Sequence, residues 1–272
     1  MMLLMTEIKK ISSLIKLNNK LSVVTGGTGH LGLAISETLA ELGSDIILVG
    51  QDEVKGNDVV KRLSKEFEVK VEFYKVDLNL KSEIDTFLTK INSNVDILVN
   101  NAFTWPDVLK IEETSWNDFE NTLTTGITSP FYLTKQMIEK MRKNRSGNIL
   151  NVGSMYGIVS PNFKIYHKES NMGNALAYNA SKAAMIQMTK YLAVYCAEWN
   201  IRVNCISPGP FPRPGTFSNG KEWFKEELQN MNPMKKLGEP WHLKGVVALL
   251  SSDLGTYMTG QNISVDGGWT TW

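Results

Sequence analysis

A tyrosine and a lysine lie four residues apart, Tyr178 and Lys182, within a stretch of helical periodicity. Residues at positions i and i+4 share one face of a helix, so both side chains can reach the same bound molecule. A neighbouring ammonium group favours the phenolate and lowers the pKa of a phenol, which is ordinarily about 10. The pair therefore predicts a proton donor and acceptor that works near neutral pH. Taken alone, it also fits an ordinary solvated helix.

A second chemical signature is the glycine-rich segment 25–32. It follows an apolar stretch, and its glycines at positions 27, 29 and 32 match the pattern G-x-G-x-x-G. Such glycines permit a tight turn and a close approach of the backbone to a pyrophosphate, while the following helix offers free N–H donors. The segment predicts a dinucleotide site, with a purely structural glycine turn as the alternative.

Apolar, β-branched runs alternate with helical stretches along the chain, and this alternation predicts the elements that position these residues. The predicted strands are 21–25, 45–49, 69–76, 95–99, 148–152, 201–206 and 262–265, and the predicted helices are 31–42, 52–66, 81–92, 115–143, 176–199 and 240–251. Alternating strands and helices indicate βαβ units, hence an α/β fold with a parallel sheet covered by helices on both faces. In such sheets ligands bind outside the carboxyl ends of the strands, where both signatures fall.

Length and composition set wider bounds. The 272 residues suit one α/β domain, which we place at residues 20–272 after an N-terminal extension, 1–19, with an amphipathic helix over 6–17. A net charge of +1 argues against binding to nucleic acid or to an anionic membrane. Two cysteines and three histidines form no metal-ligand spacing. The chain shows neither a membrane-spanning apolar run nor a signal peptide, so we expect a cytoplasmic protein.

Further motifs make the chain similar to the short-chain dehydrogenase/reductase family from about Lys20 to Trp269. In the family's order these are the glycine loop, Asp77, residues 100–102, Ser154, Tyr178 with Lys182, Pro208 with Gly209, and residues 266–268. The resemblance implies a single-domain doubly wound parallel sheet, the Rossmann fold. It also implies binding of NAD or NADP, hydride transfer to or from a carbon bearing oxygen, and assembly as a homodimer or homotetramer.

The resemblance also assigns roles to individual residues. Tyr178 would exchange a proton with the substrate oxygen, Lys182 would hold the ribose hydroxyls and lower the tyrosine pKa, and Ser154 would hydrogen-bond the substrate oxygen. Asp77 would contact the adenine amine, and Asn100 would fix the loop beside the cofactor. With these, the implied cofactor-binding set is Gly26, Thr28, Gly29, His30, Leu31, Gln51, Asp77, Leu78, Asn100, Ala102, Tyr178, Lys182, Pro208 and Gly209.

Several positions depart from the family pattern. Phe103 stands where glycine is usual, and His30 stands where the commonest subgroup has a third loop glycine. Leu123 occupies the place of a helical asparagine that completes a proton relay, so that Asn121, Thr124 or a water would have to substitute.

The choice between NAD and NADP depends on the end of the second predicted strand. Gln51 stands where relatives that bind NADP often have an arginine, and Asp52 lies about 20 residues past the loop, where an acid favours a free ribose hydroxyl. Asp52 could equally begin a helix, and Lys55 could serve a 2′-phosphate. The pattern favours NAD.

Two polar, aromatic segments predict the substrate class. Between Ser154 and Tyr178 lie 23 residues, including Tyr156, Tyr166 and His167, and a second segment, 210–231, contributes Arg213 where the family commonly has a threonine that contacts the nicotinamide amide. Aromatic, hydrogen-bonding and cationic groups suit a hydroxylated and perhaps acidic, sugar-like molecule. The first segment also resembles that of dehydrogenases of bacterial surface-sugar synthesis, including nonulosonic acids. Alternatively, its extra residues merely cover the pocket or form a subunit contact.

Two other functions remain compatible with the sequence. The spacing of the glycine loop is similar to that of nucleotide-sugar epimerases and dehydratases. Leu123 and Phe103 are compatible with a non-catalytic NAD(P)-binding regulator. The complete set of Ser154, Tyr178 and Lys182 favours an oxidoreductase that interconverts an alcohol and a carbonyl.

Overall fold

Strands that are distant in sequence pair side by side in a computed structural model, which describes residues 9–106, 109–166, 173–218 and 220–272. The strands are β1 (Leu21–Thr25), β2 (Asp45–Gly50), β3 (Val71–Lys75), β4 (Ile97–Asn100), β5 (Gly147–Val152), β6 (Ile201–Pro208) and β7 (Asn262–Val265). They form a parallel sheet in the order β3-β2-β1-β4-β5-β6-β7. Because the chain changes direction across the sheet between β1 and β4, a crevice opens there at the carboxyl ends. The predicted doubly wound fold is confirmed.

Helices cover both faces of the sheet. They are α1 (Ile11–Leu14), α2 (His30–Glu41), α3 (Glu53–Phe67), α4 (Lys81–Lys90), α5 (Trp116–Leu123), α6 (Ser129–Asn144), α7 (Leu176–Cys196), α8 (Glu222–Met231) and α9 (Lys244–Ser251). Successive strand residues point to opposite faces. Val23 of β1 therefore packs with α4, α6 and α7, whereas Val24 packs with α2, α3 and α9.

The sequence predicted one helix over 115–143, but the structure interrupts it. A π-helical turn, Thr124–Thr128, separates α5 from α6. Three of its five residues are β-branched threonines and one is Gly126, residue types with low helix propensity. Pro130 stands in the first turn of α6, where a proline's missing N–H costs nothing.

The segment 210–231, read from sequence as a loop, contains helix α8. Phe224 and Leu228, four residues apart, form its buried face. They join a small apolar cluster with Tyr156, Ile165 and Trp269. The sequence contains this apolar spacing at i and i+4, but the many polar residues around it hide the helical pattern.

The N-terminal segment is less helical than predicted over its described part. Residues 1–8 lie outside the described residues, and α1 spans only Ile11–Leu14, with Ile11 exposed. Leu17 anchors the segment instead, because its side chain is buried and its backbone N–H donates to the carbonyl of Leu42 over 2.8 Å.

Two glycines in helices test the close packing beneath the glycine loop. A Cβ on Gly32 of α2 would lie 2.0 Å from the Gly26 carbonyl oxygen, whereas a Cβ on Gly245 of α9 would meet nothing within 4 Å. We expect Gly32→Ala to lower the free energy of unfolding by about 1–3 kcal/mol, since backbone atoms must move. The control Gly245→Ala should be neutral or stabilising by up to about 1 kcal/mol. Urea denaturation measures both, and equal effects would contradict the packing described.

Candidate active site

A cavity of 590 Å³ opens at the carboxyl ends of the central strands. Its walls are the glycine loop, the residues that follow β4, β5 and β6, one face of α7, and the segment leading into α8. Ser154, Tyr178 and Lys182 all line it, so the structure brings together the three residues proposed from sequence as catalytic.

The hydroxyl of Ser154 is close enough to the Tyr178 phenol to lower its pKa, although the two residues are far apart in sequence. Ser154 follows β5 directly, and its Oγ accepts a 3.1 Å hydrogen bond from the backbone N–H of Tyr156. That bond fixes the serine rotamer at the start of a short helical turn. The two hydroxyls therefore form one polar spot on an otherwise largely aromatic wall.

Lys182 is buried in the wall of the same cavity. Its side chain is only 4% exposed, and Nζ donates to the Val152 carbonyl oxygen over 2.8 Å. Burial lowers the pKa of Lys182 to about 8 because desolvation disfavours the ammonium. An ammonium group carries three donors, so beyond Val152 it has capacity for hydroxyl groups of a ligand in the cavity.

The pKa of Tyr178 moves in the direction opposite to that expected from sequence. Burial raises it, and this effect outweighs the lowering by Ser154 and by the positive charge of Arg213. Lys182 Nζ lies 5.8 Å from the centroid of the tyrosine ring and is held by Val152. The cation that lowers the pKa of Tyr178 in this structure is therefore Arg213.

The glycine loop fits a dinucleotide cofactor. Gly26 has φ +61°, and a Cβ there would lie 2.9 Å from the Cα of Ala102, so two backbone segments meet with no room for a side chain. Gly29 caps α2 without a side-chain hydrogen bond, which leaves the first N–H groups of the helix available to an anion. The loop thus offers backbone donors and a partial positive charge to a pyrophosphate.

The other proposed cofactor residues divide into two groups. Those that line the cavity are Gly26, Gly29, His30, Leu31, Ala102, Tyr178, Lys182, Pro208 and Gly209. Those that lie outside its lining are Thr28, Gln51, Asp77, Leu78 and Asn100. The Asp77 carboxylate accepts from the backbone and the side chain of Asn79, 2.9 Å each.

The asparagine that secures the glycine loop is Asn101, which the sequence reading missed. Its Nδ2 donates to the carbonyls of Thr25 and Gly26, each over 3.0 Å. Asn100 is buried instead, and its Nδ2 donates to Thr134 Oγ1 and Asn151 Oδ1. Successive side chains at a strand end point to opposite sides, so only one of two adjacent asparagines reaches the loop.

Phe103 and Trp105 build an aromatic wall against the catalytic face of α7. The Phe103 ring lies 5.0 Å from the Tyr178 ring and 5.1 Å from Lys182 Nζ. The Trp105 ring lies 4.4 Å from that of Tyr178, edge to face. Phe103, a departure from the family pattern, thus screens Lys182 from water. Trp105 also lines the site, but no motif in the sequence identified it as a site residue.

The π-helical turn stands where the sequence departs from the family's proton relay. Leu123 ends α5 immediately before it. Asn121 is exposed, and Thr124 Oγ1 donates back to the Glu120 carbonyl over 2.9 Å. Thr125 is buried, and its hydroxyl has no hydrogen-bond partner within the described chain. Thr125 therefore contributes a buried hydroxyl to this turn that has no partner among the described residues.

The proposed substrate residues form the outer wall. Tyr156 and Tyr166 are hydrogen-bonded through their hydroxyls over 3.3 Å, and burial raises the pKa of both phenols. Phe224 of α8 packs on Tyr166, with ring centroids 5.6 Å apart, and Arg213 lines the cavity. His167 lies outside the described residues.

His30 sits between the glycine loop and the segment that carries Arg213. Burial lowers its pKa first, followed by the positive charge of Arg213, while the Pro212 carbonyl favours the protonated ring. Its Nε2 is buried and has no hydrogen-bond partner in the part of the chain described. His30 therefore presents an unused polar atom beside the cofactor loop.

Metal-binding clusters and membrane spans were searched over the described residues. No group of three or more His, Cys, Asp or Glu side chains there is placed to hold a metal ion. Nor does any helix in these ranges combine the length and the apolar character that crossing a bilayer requires.

The effect of Arg213 on the pKa of Tyr178 can be tested by substitution. At a pH of about 10, where an ordinary tyrosine is half ionised, Tyr178 should remain mostly protonated. Arg213→Gln removes a positive charge and should raise the pKa further, whereas Arg213→Lys should keep it near the wild-type value. The ¹³Cζ resonance of Tyr178, assigned with Tyr178→Phe, measures this pKa. A lower pKa in Arg213→Gln would show that Arg213 does not stabilise the phenolate.

Known proteins are similar to this chain over nearly its whole length. Residues 28–270 match a family model described as "Enoyl-(Acyl carrier protein) reductase". The chain is 34% identical over 259 residues to a 3-oxoacyl-[acyl-carrier-protein] reductase of Aquifex aeolicus, covering 93% of this chain and 98% of the relative. It is 30% identical over 259 residues to a 7alpha-hydroxysteroid dehydrogenase of Bacteroides fragilis, covering 94% and 96%.

Solved structures are similar over almost the whole chain. A proposed gluconate dehydrogenase from Agrobacterium tumefaciens superposes with a TM-score of 0.84 at 26% identity, covering 95% of this chain and 99% of the other. An NAD⁺-bound xylitol dehydrogenase gives a TM-score of 0.82 at 27% identity, covering 93% and 100%. From the family model, the relatives and the fold, this chain belongs to the short-chain dehydrogenase/reductase family of NAD(P)-dependent oxidoreductases.

Proposed function

We propose that the enzyme interconverts an alcohol and a carbonyl on a polar, sugar-like substrate, with Ser154, Tyr178 and Lys182 as its catalytic residues. The observation that carries this proposal is that Ser154, Tyr178 and the buried Lys182 line one cavity, with the Ser154 hydroxyl close enough to lower the pKa of the Tyr178 phenol. A phenol within reach of a second hydroxyl is suited to exchange a proton with an oxygen held between them.

When bound, a nicotinamide cofactor would supply a hydride to the carbonyl carbon in the direction of reduction. Tyr178 donates its phenolic proton to the carbonyl oxygen, so a C–H and an O–H bond form while the carbonyl π bond breaks. Ser154 donates a hydrogen bond to the same oxygen and stabilises its developing negative charge. Arg213 favours the transient phenolate through its positive charge, and Lys182 would hold the ribose hydroxyls of the cofactor. Oxidation reverses each step, with the phenolate as the base.

The proposed cofactor is NAD. Asp52 is weaker support for NAD than its sequence position suggested. Its carboxylate caps α3 by accepting a 3.0 Å hydrogen bond from the Lys55 backbone N–H. The remaining support is Gln51, which leaves the end of β2 without an arginine for a 2′-phosphate. Lys55 lies near enough to lower the pKa of His30 and is the rival group for that phosphate.

The cavity lining supports a polar substrate. Tyr156, Tyr166, Asn174 and Thr216 contribute hydroxyl and amide groups, and Arg213 contributes a cation. The names of the two structural relatives, a gluconate and a xylitol dehydrogenase, point to polyhydroxylated substrates. The curated relative at 34% identity favours a second candidate, a 3-oxoacyl thioester. Turnover of acetoacetyl-CoA in preference to polyols and sugar acids would select that candidate.

The catalytic assignment is tested by Tyr178→Phe. The variant lacks only the phenolic hydroxyl, so turnover of any identified substrate should fall by about 10²–10⁴-fold while cofactor affinity persists. Cofactor titrations of the wild type and the variant, with NADH and NADPH in parallel, provide the binding control. Wild-type turnover in the variant would refute the mechanism, and tighter binding of NADPH than NADH would refute the choice of cofactor.

We further propose that the protein assembles as a homodimer or homotetramer through the outer face of α7. The sequence pointed to Met185, Met188, Leu192 and Trp199 as apolar residues for such a contact, but Met185, Leu192 and Trp199 are buried and Met188 is partly buried against the core. Tyr191, Val194 and Tyr195 are exposed instead, and their i, i+3, i+4 spacing places them on one stripe. An exposed apolar stripe of this kind is typical of a subunit contact.

Assembly is tested by placing a charge in this stripe. Val194→Glu should reduce the mass in solution, measured by light scattering, from two or four chains to the 30.5 kDa monomer. Val54→Glu is the matched control, because Val54 of α3 is 76% exposed against 82% for Val194 and lies on the opposite face of the sheet. A wild-type monomer at micromolar concentration, or an unchanged Val194→Glu oligomer, would contradict the proposal.

A further inference from the structure

The charged side chains around the cavity are of one sign. Among the described residues that line it, His30, Lys182, Arg213 and Lys221 can carry positive charge, and none is an aspartate or glutamate. The composition of the chain does not require this, since it has 29 Lys and Arg residues against 28 Asp and Glu. A site that contains cations and no internal counter-charge favours an anionic ligand.

Lys182 already has a hydrogen-bond partner, and the glycine loop is already assigned to the pyrophosphate. Arg213 and Lys221, the two cations that line the cavity from the segment 210–231, have neither an ion-pair partner among the described residues nor an assigned role. Lys182 is held by Val152, and the N-terminus of α2 suffices for a pyrophosphate. Arg213 and Lys221 are exposed at the cavity mouth, and the ion pairs of the described chain include neither. Their charges are therefore available to a second anion.

The positions of these two cations indicate the substrate side of the cavity. Arg213 is close enough to Tyr178 to influence its ionisation, so a group bound there lies near the reacting oxygen. Lys221 begins α8, and its carbonyl accepts the N–H of Phe224, which packs on Tyr166. The two cations thus extend from the reaction centre to the outer tyrosine wall.

We propose that Arg213 and Lys221 bind an anionic group of the substrate itself, so that the enzyme prefers a polyhydroxylated acid to the corresponding neutral polyol. This inference rests on the proposed function of the same cavity. A guanidinium pairs bidentately with a carboxylate or a phosphate, and a nearby ammonium adds a point charge. The hydroxyls of Tyr156 and Tyr166, which also line the cavity, serve the hydroxyl groups of such a molecule.

The experiment compares D-gluconate, D-glucose 6-phosphate and neutral D-glucitol as substrates of the wild type, Arg213→Gln, Lys221→Gln and Lys225→Gln. Lys225 lies one turn after Lys221 on α8, is exposed and does not line the cavity, so it controls for general charge loss. The readout is the ratio of kcat/KM for each anion to that for glucitol, because effects on Tyr178 ionisation are common to both substrates and cancel.

The ratio for the preferred anion should fall about tenfold in each of the first two variants and remain unchanged in Lys225→Gln. Whichever of gluconate and glucose 6-phosphate is preferred shows whether the site binds a carboxylate or a phosphate. Equal losses for anion and glucitol would overturn the proposal, as would a raised KM for NAD with an unchanged ratio, since the cations would then serve the cofactor.

Binding separates this inference from the proposed function. Saturation-transfer NMR on the complex with NADH measures whether gluconate and glucose 6-phosphate bind at all. Binding that is lost in Arg213→Gln and Lys221→Gln, without turnover of any substrate, would support the anion site and refute the proposed reaction. Absence of binding by both anions would refute the anion site, whatever the turnover of neutral alcohols.

Discussion

One buried hydrogen bond, from Lys182 Nζ to the carbonyl of Val152, sets the geometry of the whole site. It joins α7 to the end of β5 in a place from which water is excluded, so losing it would leave a desolvated ammonium without a partner. Ser154 lies two residues beyond Val152, and Tyr178 lies one helical turn before Lys182. This single contact therefore fixes the phenol, the ammonium and the serine hydroxyl relative to one another.

Burial makes these groups reactive by opposing their charged forms. The pKa of Tyr178 is raised and that of Lys182 is lowered to about 8, both chiefly because the aromatic wall and the helix remove water. Positive charge brought near the phenol then has a large effect, because little solvent screens it. Arg213 supplies such a charge from the segment that follows β6. The same side chain thereby links substrate recognition to proton transfer.

Much of this organisation is present in local sequence patterns. The strands follow from runs of β-branched residues, and Tyr178 with Lys182 follows from helical spacing. Features that depend on contacts between distant segments could not be predicted from the sequence. Asn100 and Asn101 cannot be told apart until the strand end is placed against the glycine loop. The direction of the Tyr178 pKa depends on burial by Phe103 and Trp105 and on a cation 35 residues later in the chain, which no local pattern reveals.

The central claim is that the ammonium of Lys182 and the hydroxyls of Ser154 and Tyr178 converge on one cofactor and one substrate oxygen. A crystal structure of the complex with NAD and a bound alcohol tests it most directly. We expect Lys182 Nζ to contact the ribose hydroxyls while keeping its hydrogen bond to Val152, and the alcohol oxygen to lie about 3 Å from both Ser154 Oγ and the Tyr178 phenol. A nicotinamide ribose bound away from Lys182, or an alcohol oxygen out of reach of Tyr178, would contradict it.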